Sequence, residues 1–238
     1  FKKLLKNLKK YNNARLGLEH YQFIQLQSAL ASDRVYFNSK YNRDTFLDGV
    51  RILIKKIPDK KKHLHRIFEK SLEIWPLHID PFEFCDKSKL KNNSIPIFIW
   101  NHRWEYDKNP AEFFEVLNEI KKVQPFKLIV CGKEVKNSIF KKAKRTFLEE
   151  IIHWGFCENR KDYLHLLSIA THSIITSNHD FFGLSAFESL LSGVRTYFPE
   201  RLCYPEHFMS PEFESIFYKG REDIIKKITS EESYPFGL

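Results

Sequence analysis

A doubly wound parallel α/β sheet is the fold class this sequence predicts, on three observations. From residue 95 onward, short runs rich in branched and aromatic residues alternate with segments of helical spacing. Helix signals stand where that alternation needs them, with Asn109-Pro110 opening one helix and Gly193 closing another. No window approaches the length of a membrane span, and 42% hydrophobic with 29% charged residues over 238 positions is a soluble globular composition. Strand–helix alternation of this length lays strands parallel, with helices on both faces.

Residues 1–94 hold fewer elements than the rest. FKKLLKNLKK (1–10) spaces Phe1, Leu4, Leu5 and Leu8 on one helical face, which reads as a surface helix; an anchor so short would bind a membrane surface weakly. Residues 18–31 read as a helix, 33–39 as a strand and 41–56 as a second helix. A Lys-rich hinge at 58–66 leads to a strand over 72–79, which runs into a linker marked by Pro76 and Pro81. One or two α/β units of this kind are too little for an independent Rossmann-like domain. The domain boundary is placed at residue 94.

The second part, 95–238, reads element by element. IPIFIW (95–100) is a buried strand, and 109–122 a helix with Asn109 as its N-cap. KLIVCG (127–132) is a strand, 138–150 a basic amphipathic helix, 151–156 a short strand and 161–170 a helix. THSIITS (171–177) has the β-branched run of a buried strand, and GLSAFESLLSG (183–193) the spacing of a helix. Residues 194–200 form a further strand and 221–229 a last helix.

Charge and cysteine usage narrow the function classes. Residues 1–94 carry 20 Lys and Arg against 10 Asp and Glu, and residues 95–238 carry 19 against 20. The basic excess therefore lies wholly in the N-terminal part, where a polyanion would be drawn. The four cysteines (Cys85, Cys131, Cys157 and Cys203) include no C-x-x-C pair. That argues against a zinc site and fits reduced thiols in a cytoplasmic protein. The chain opens on Phe1 with no signal peptide, which fits a fragment or a processed chain.

Ligands of a doubly wound sheet bind beyond the carboxyl ends of its strands, so the loops there carry the chemistry. In HDFFGLSAFESLLSG, Asp180 stands in a strand-to-helix turn and Glu188 about one and a half turns into the helix. The backbone around Phe182, Gly183 and Leu184 is that helix start, whose free N–H groups attract anions. A carboxylate on each side of an anion cradle suits a ligand with hydroxyls next to phosphates, as in a nucleotide sugar. The plainer reading is a turn Asp and a solvated helical Glu. In WNHRWEYDKNP (100–110), Arg103 and Lys108 supply two cations at the same sheet edge, able to hold a diphosphate or simply to face solvent. Asn101 and His102 in that loop, and Gly132 at the end of the next strand, are further candidates for donor contact. In HWGF (153–156), Trp154 and Phe156 flank Gly155 and serve either to stack on a base or to fill the core.

These residues resemble a known group of enzymes. R-x4-K after a domain's first strand, with acid-F-F-G-x4-E after a later one, resembles the donor half of retaining glycosyltransferases of the GT-B fold. Asp180 stands where their pattern has Glu, one methylene longer, with the spacing to Glu188 kept. IWNHRWEYDKNPAEFF, HWGF, HDFFGLSAFESLLSG and YPEHF together look like the tRNA-queuosine α-mannosyltransferase family, and ALASDRVYFNSKYNRDTFL (29–47) resembles its middle segment. The resemblance covers most of residues 18–208. It implies GDP-mannose as donor, queuosine-bearing tRNA as acceptor, and an acceptor domain whose beginning, with a Gly-rich loop and a His-rich motif, is missing here. It further implies that Arg103 and Lys108 bind the diphosphate, Asp180 contacts the donor sugar, and Glu188 takes the ribose hydroxyls. With no D-x-D motif in the chain, no metal and no other cofactor is expected.

Two other functions remain open on the residues alone. One is a GT-B glycosyltransferase that uses another nucleotide sugar on a glycan, lipid or small molecule. The other is a non-catalytic nucleic-acid-binding module built on the basic N-terminal part. Nothing in the sequence bears on the oligomeric state.

Overall fold

Side-chain alternation along the central strand of the larger unit sets its architecture. β3 (Ile97–Trp100) is buried on both faces, with Phe98 and Trp100 turned to one core and Ile97 and Ile99 to the other. The computed structural model describes residues 12–56, 62, 65–67, 69, 72–74, 95–134, 137–230 and 235. The chain divides into two compact units, Phe1–Pro76 and Leu77–Leu238. The expected surface helix at 1–10, residues 75–79 of the strand expected over 72–79, the linker it runs into and the boundary at 94 lie outside the described residues, as does most of the Lys-rich hinge.

In the first unit, α1 (Asn12–Ala31) leads through β1 (Val35–Phe37) into α2 (Lys40–Leu53), and β2 (Leu72–Ile74) pairs parallel to β1. α2 starts where the Ser39 hydroxyl accepts the Asn42 amide at 3.1 Å, closing a free helix-end donor. Leu26, Leu47, Val50, Ile54 and Ile67 form its core. α1 begins six residues before the helix read from the sequence, because Asn12 to Gly17 carry no apolar period to announce it.

The second unit continues through α3 (Pro110–Lys121), β4 (Lys127–Cys131), α4 (Ser138–Thr146), β5 (Ile151–Gly155), α5 (Arg160–Ile169), β6 (His172–Ile174), α6 (Leu184–Leu191) and β7 (Arg195–Pro199). A single helical turn, α7 (Tyr204–His207), a two-residue strand, β8 (Phe217–Tyr218), and α8 (Arg221–Thr229) complete it. The six strands lie in the order β5-β4-β3-β6-β7-β8, every pair parallel. Counted within this unit the order is 3-2-1-4-5-6, that of dinucleotide-binding sheets. One face is covered by Phe113 and Phe114 of α3, Phe140 of α4 and Ile224 of α8; the other by Leu166 and Leu167 of α5.

α4 ends at Thr146, four residues earlier than read from sequence, because Phe147 leaves the helix to bury itself completely in the core. α7 and β8 are too short to show any period. The decisive feature is the neighbourhood of β3 and β6: chain order reverses there, leaving a crevice at their carboxyl ends.

Candidate active site

The loop that leaves β3 is shaped by Trp104. Its indole is buried, stacks on Phe140 at 4.2 Å and donates from Nε1 to the Cys131 carbonyl at 3.1 Å. That anchor brings the loop down onto Gly132, where a Cβ would lie 2.7 Å from both the His102 carbonyl and the Trp104 ring. Gly132 is thus required first for close approach of two backbones, at φ +134°. The loop then closes a short 3-10 turn over Tyr106–Lys108, takes a left-handed residue at Asn109 and enters α3 at Pro110.

The loop leaving β6 is stapled to it. The Asn178 and His179 amides donate to the Asp107 carbonyl at 2.7 and 3.3 Å, and the Thr176 hydroxyl donates to the Lys108 carbonyl at 2.9 Å. Lys108 Nζ reaches across to Asp180 Oδ2 at 2.9 Å and to the His179 carbonyl at 3.1 Å. Tyr204 of α7 donates its hydroxyl to the same Asp180 oxygen at 3.1 Å. Burial pushes the Asp180 carboxyl up, but the Lys108 ammonium and these hydrogen bonds outweigh it and hold it below the ordinary carboxylate range. Gly183 caps α6 at φ +94°, and a Cβ there would meet Tyr204 at 2.7 Å. A glycine stands between the two carboxylates because the tyrosine that holds Asp180 occupies the space.

His102 links this cluster to the rest of the site. Its Nδ1 lies 2.7 Å from the Ser185 hydroxyl in the first turn of α6, while its buried Nε2 has no hydrogen-bond partner. Burial, helped by the nearby Lys108 charge, lowers its pKa to about 4, so the ring is neutral at pH 7. Asn101 donates to the Ser185 carbonyl at 2.8 Å, and its buried Oδ1 is likewise unpartnered. Each such buried polar atom is costly unless something completes it.

Beyond His102 opens a cavity of about 530 Å³, walled by Arg103, Gly132, Phe156, Arg160, Tyr163 and Glu188 among others. Glu188 accepts from the Tyr163 hydroxyl at 2.6 Å and from Arg160 Nη1 at 3.0 Å. Both partners come from α5. Burial and the Glu188 charge raise the Tyr163 phenol well above its usual range, so it stays a donor. Phe156 is 59% exposed at the cavity wall, a free aromatic face. Trp154, offered by the sequence either to a base or to the core, belongs to the core: its ring packs on Phe114 at 6.1 Å and Trp104 at 5.6 Å. Gly155 contributes backbone only, its carbonyl accepting from the Gly132 amide at 2.9 Å.

The fold therefore brings Asn101, His102, Arg103, Gly132, Phe156 and Glu188 to one cavity. Lys108, Asp180 and Gly183 adjoin it through the loop of His102 and the start of α6. Phe182 is buried against Phe187 and His207, and Leu184 stays half-exposed at the helix start. Sequence reasoning missed Arg160, Tyr163 and Tyr204, the residues that hold the two carboxylates. Their only signal was position: R-x2-Y opens the helix after HWGF, and the tyrosine of YPEHF follows β7.

The comparisons with known proteins divide as the chain does. A family model described as tRNA-queuosine alpha-mannosyltransferase N-terminal matches residues 11–76, and one described as Glycosyl transferases group 1 matches residues 82–196. The tRNA-queuosine alpha-mannosyltransferase of Drosophila melanogaster is 32% identical over 199 residues, 78% of this chain and 52% of that protein. The chain belongs to the tRNA-queuosine α-mannosyltransferase family. It spans about half the length of that curated relative. Among solved structures, the C-terminal domain of a group 1 glycosyltransferase from Francisella tularensis superposes with a TM-score of 0.51 at 19% identity, over 64% of this chain and 87% of that one. A structure described as trehalose-6-phosphate from E. coli bound with UDP-2-fluoro glucose superposes with a TM-score of 0.62 at 14% identity, over 87% of this chain and 55% of that one. Those two likenesses establish the fold, of GT-B type. Among the described residues, no helix is long and apolar enough to cross a membrane.

Proposed function

We propose that this family member transfers mannose from GDP-mannose to queuosine in tRNA, with retention at the anomeric carbon and without a metal. The observation that carries the reading is the pairing of the two loops at the β3/β6 crevice. A built-in ammonium–carboxylate pair lies beside a cavity that ends in a second carboxylate and an exposed ring.

Each residue then has a task set by its chemistry. Lys108 spends two of its three N–H donors on His179 and Asp180, leaving one for a phosphate oxygen. Arg103 is 67% exposed, with contacts to Glu105 at 3.2 Å and Asp107 at 3.7 Å. The Glu105 pair is exposed and weak and the contact to the nearly buried Asp107 is long, so the guanidinium can exchange them for a diphosphate, to which it offers a fork of donors. Asp180, ionised and fixed by Lys108 and Tyr204, accepts from the sugar hydroxyls. Glu188 has lone pairs left after Tyr163 and Arg160 to accept from both ribose hydroxyls, and Phe156 stacks on the base. As the glycosidic bond breaks, negative charge grows on the diphosphate, and Arg103, Lys108 and the first-turn amides of α6 stabilise it. With no protein nucleophile in this arrangement, the acceptor attacks from the face the diphosphate leaves.

For the acceptor, the support is family membership and the charge of residues 1–94, with 20 basic against 10 acidic residues. A modified base in an anticodon loop is already partly unstacked, so drawing it into a cleft costs little. A cytoplasmic location belongs to the same proposal, since that is where tRNA and nucleotide sugars meet. The test is transfer of radiolabelled mannose from GDP-mannose by the protein at the full length of its relatives, to tRNA with and without queuosine. Labelling only of queuosine tRNA is the expected result. Equal labelling of both, or labelling of a lipid or oligosaccharide instead, removes the acceptor and leaves the donor assignment.

A further inference from the structure

Cys131, at the end of β4, is distant in sequence from His153 and Cys157, on and just beyond β5, and adjacent to them in the fold. β4 and β5 pair in parallel, with Ile129 opposite His153 and Cys131 opposite Gly155. That register sets the two thiols and the imidazole in one cluster. Cys157 Sγ lies 4.0 Å from Cys131 Sγ and 3.6 Å from His153 Nε2, and the three ligand atoms all lie within 4.8 Å of one another.

These separations are those of a metal's coordination shell. In a tetrahedral zinc site, with Zn–S of about 2.3 Å and Zn–N of about 2.0 Å, ligand atoms stand about 3.8 Å apart (S to S) and about 3.5 Å apart (S to N). The two contacts to Cys157 match those edges already. The remaining edge, between Cys131 and His153, is at most 4.8 Å, with Cys131 buried and His153 half-buried. We propose that Cys131, His153 and Cys157 form a binding site for a borderline-soft divalent cation, zinc above all, in the wall of the cavity.

Three further observations agree. His153 Nε2 now faces the Gly155 carbonyl at 3.1 Å, but that carbonyl also accepts from the Gly132 amide at 2.9 Å. A metal can therefore take Nε2, the ring's one proton moving to Nδ1, without orphaning the carbonyl. Both thiols line the cavity of about 530 Å³, so a tetrahedral ion's fourth position opens to water or to a group on a ligand there. No other group of three His, Cys, Asp or Glu among the described residues converges in this way. Binding releases one proton from each thiol, so affinity rises with pH. No contiguous C-x-x-C announces the site; parallel strand pairing supplies the adjacency that sequence spacing lacks. The ion has no part in the proposed transfer, whose cations are Arg103 and Lys108.

The test needs no activity. The whole chain, reduced with a non-thiol reductant and stripped with EDTA, is titrated with Co²⁺. The expected result is a one-to-one complex with a thiolate-to-cobalt charge-transfer band and intense visible bands of a tetrahedral site, both bleached by Zn²⁺. Cys157→Ser, at a half-buried position, leaves Cys131 as the one thiolate ligand, so the charge-transfer band falls to half or less and the complex loosens, and His153→Gln weakens the complex with both thiols kept. Far-UV circular dichroism and the Tm of each variant without metal establish that it is folded. No charge-transfer band in the native chain, or the same band in folded Cys157→Ser, overturns the site.

Discussion

The two ends of the candidate site are built differently. At the Lys108–Asp180 end both side chains are nearly buried, 11% and 14% exposed; the pair crosses between two loops stapled by backbone hydrogen bonds, and Tyr204 of α7 holds Asp180 from a third side. At the Glu188 end, Glu188 is 21% exposed, its partner Arg160 43%, and an open cavity stands before them. A pre-set end suits the reacting diphosphate and sugar, where misplacement costs rate. An open end suits a nucleoside that must enter and leave. In the proposed transfer the two carboxylates, eight residues apart around one helix start, therefore have unequal tasks.

Lys108 is where substitution should cost most. Removing one stabiliser of developing charge typically costs ~3 kcal/mol, or roughly 100-fold in turnover, and this is the expectation for both Lys108→Ala and Arg103→Ala. The two variants then part. Lys108→Ala also strands the buried Asp180 charge, with a stability loss of roughly 3–5 kcal/mol. Arg103→Ala, at an exposed position, leaves Tm unchanged. Steady-state kinetics with denaturant melts decide it: an equal Tm for both variants would show that the Lys108–Asp180 end is not the pre-set one.

A pH effect comes next in size. His102, and His172 at the start of β6, have their pKa values lowered to about 4 by burial. The unfolded chain binds a proton at each of these near pH 6.5 and the folded chain does not, so stability is lost as pH falls from about 6.5 towards 4. A pKa that differs by one between the folded and unfolded chain is worth about 1.4 kcal/mol. Asp180 acts in the same direction but lower: its folded pKa is depressed, so its contribution fades only as pH falls through the ordinary carboxylate range and below. His102→Gln should flatten the upper part of this loss in urea melts at a series of pH values. An unchanged slope would mean that His102 titrates normally and that the pre-set end is wetter than the geometry makes it.

Much of this site is legible in the residues, and the rest is lost for reasons that can be named. α8 spans residues 221–229 as read from sequence, because acidic residues in its first turn and a clean apolar stripe mark both ends. Arg103, Lys108 and Asp180 could be singled out because loops at strand carboxyl ends are few and charged residues in them are conspicuous, and Glu188, on α6, by its spacing from Asp180 across the helix start. Arg160, Tyr163 and Tyr204 could not. They sit on helices where a Tyr or an Arg looks like ordinary surface, and only the fold turns them inward against the carboxylates. Trp154 shows the converse: an aromatic beside a glycine at the right edge, spoken for by Phe114 and Trp104.

Glu188 should show the mildest change. A ribose contact is made equally in the ground and transition states, so Glu188→Gln should raise the donor KM about tenfold with kcat little changed. A large loss of kcat there, with none at Arg103, would exchange the roles of the two ends.

Whether the β3/β6 crevice binds a guanosine diphosphate sugar with protein cations in place of a metal can be settled by calorimetry. GDP-mannose is titrated into the whole chain in EDTA and again with Mg²⁺, for the native chain and for Arg103→Ala. One-to-one binding in EDTA, unaltered by Mg²⁺ and weakened in the variant, is the expected result. No binding, or binding that appears only with the divalent ion, contradicts it.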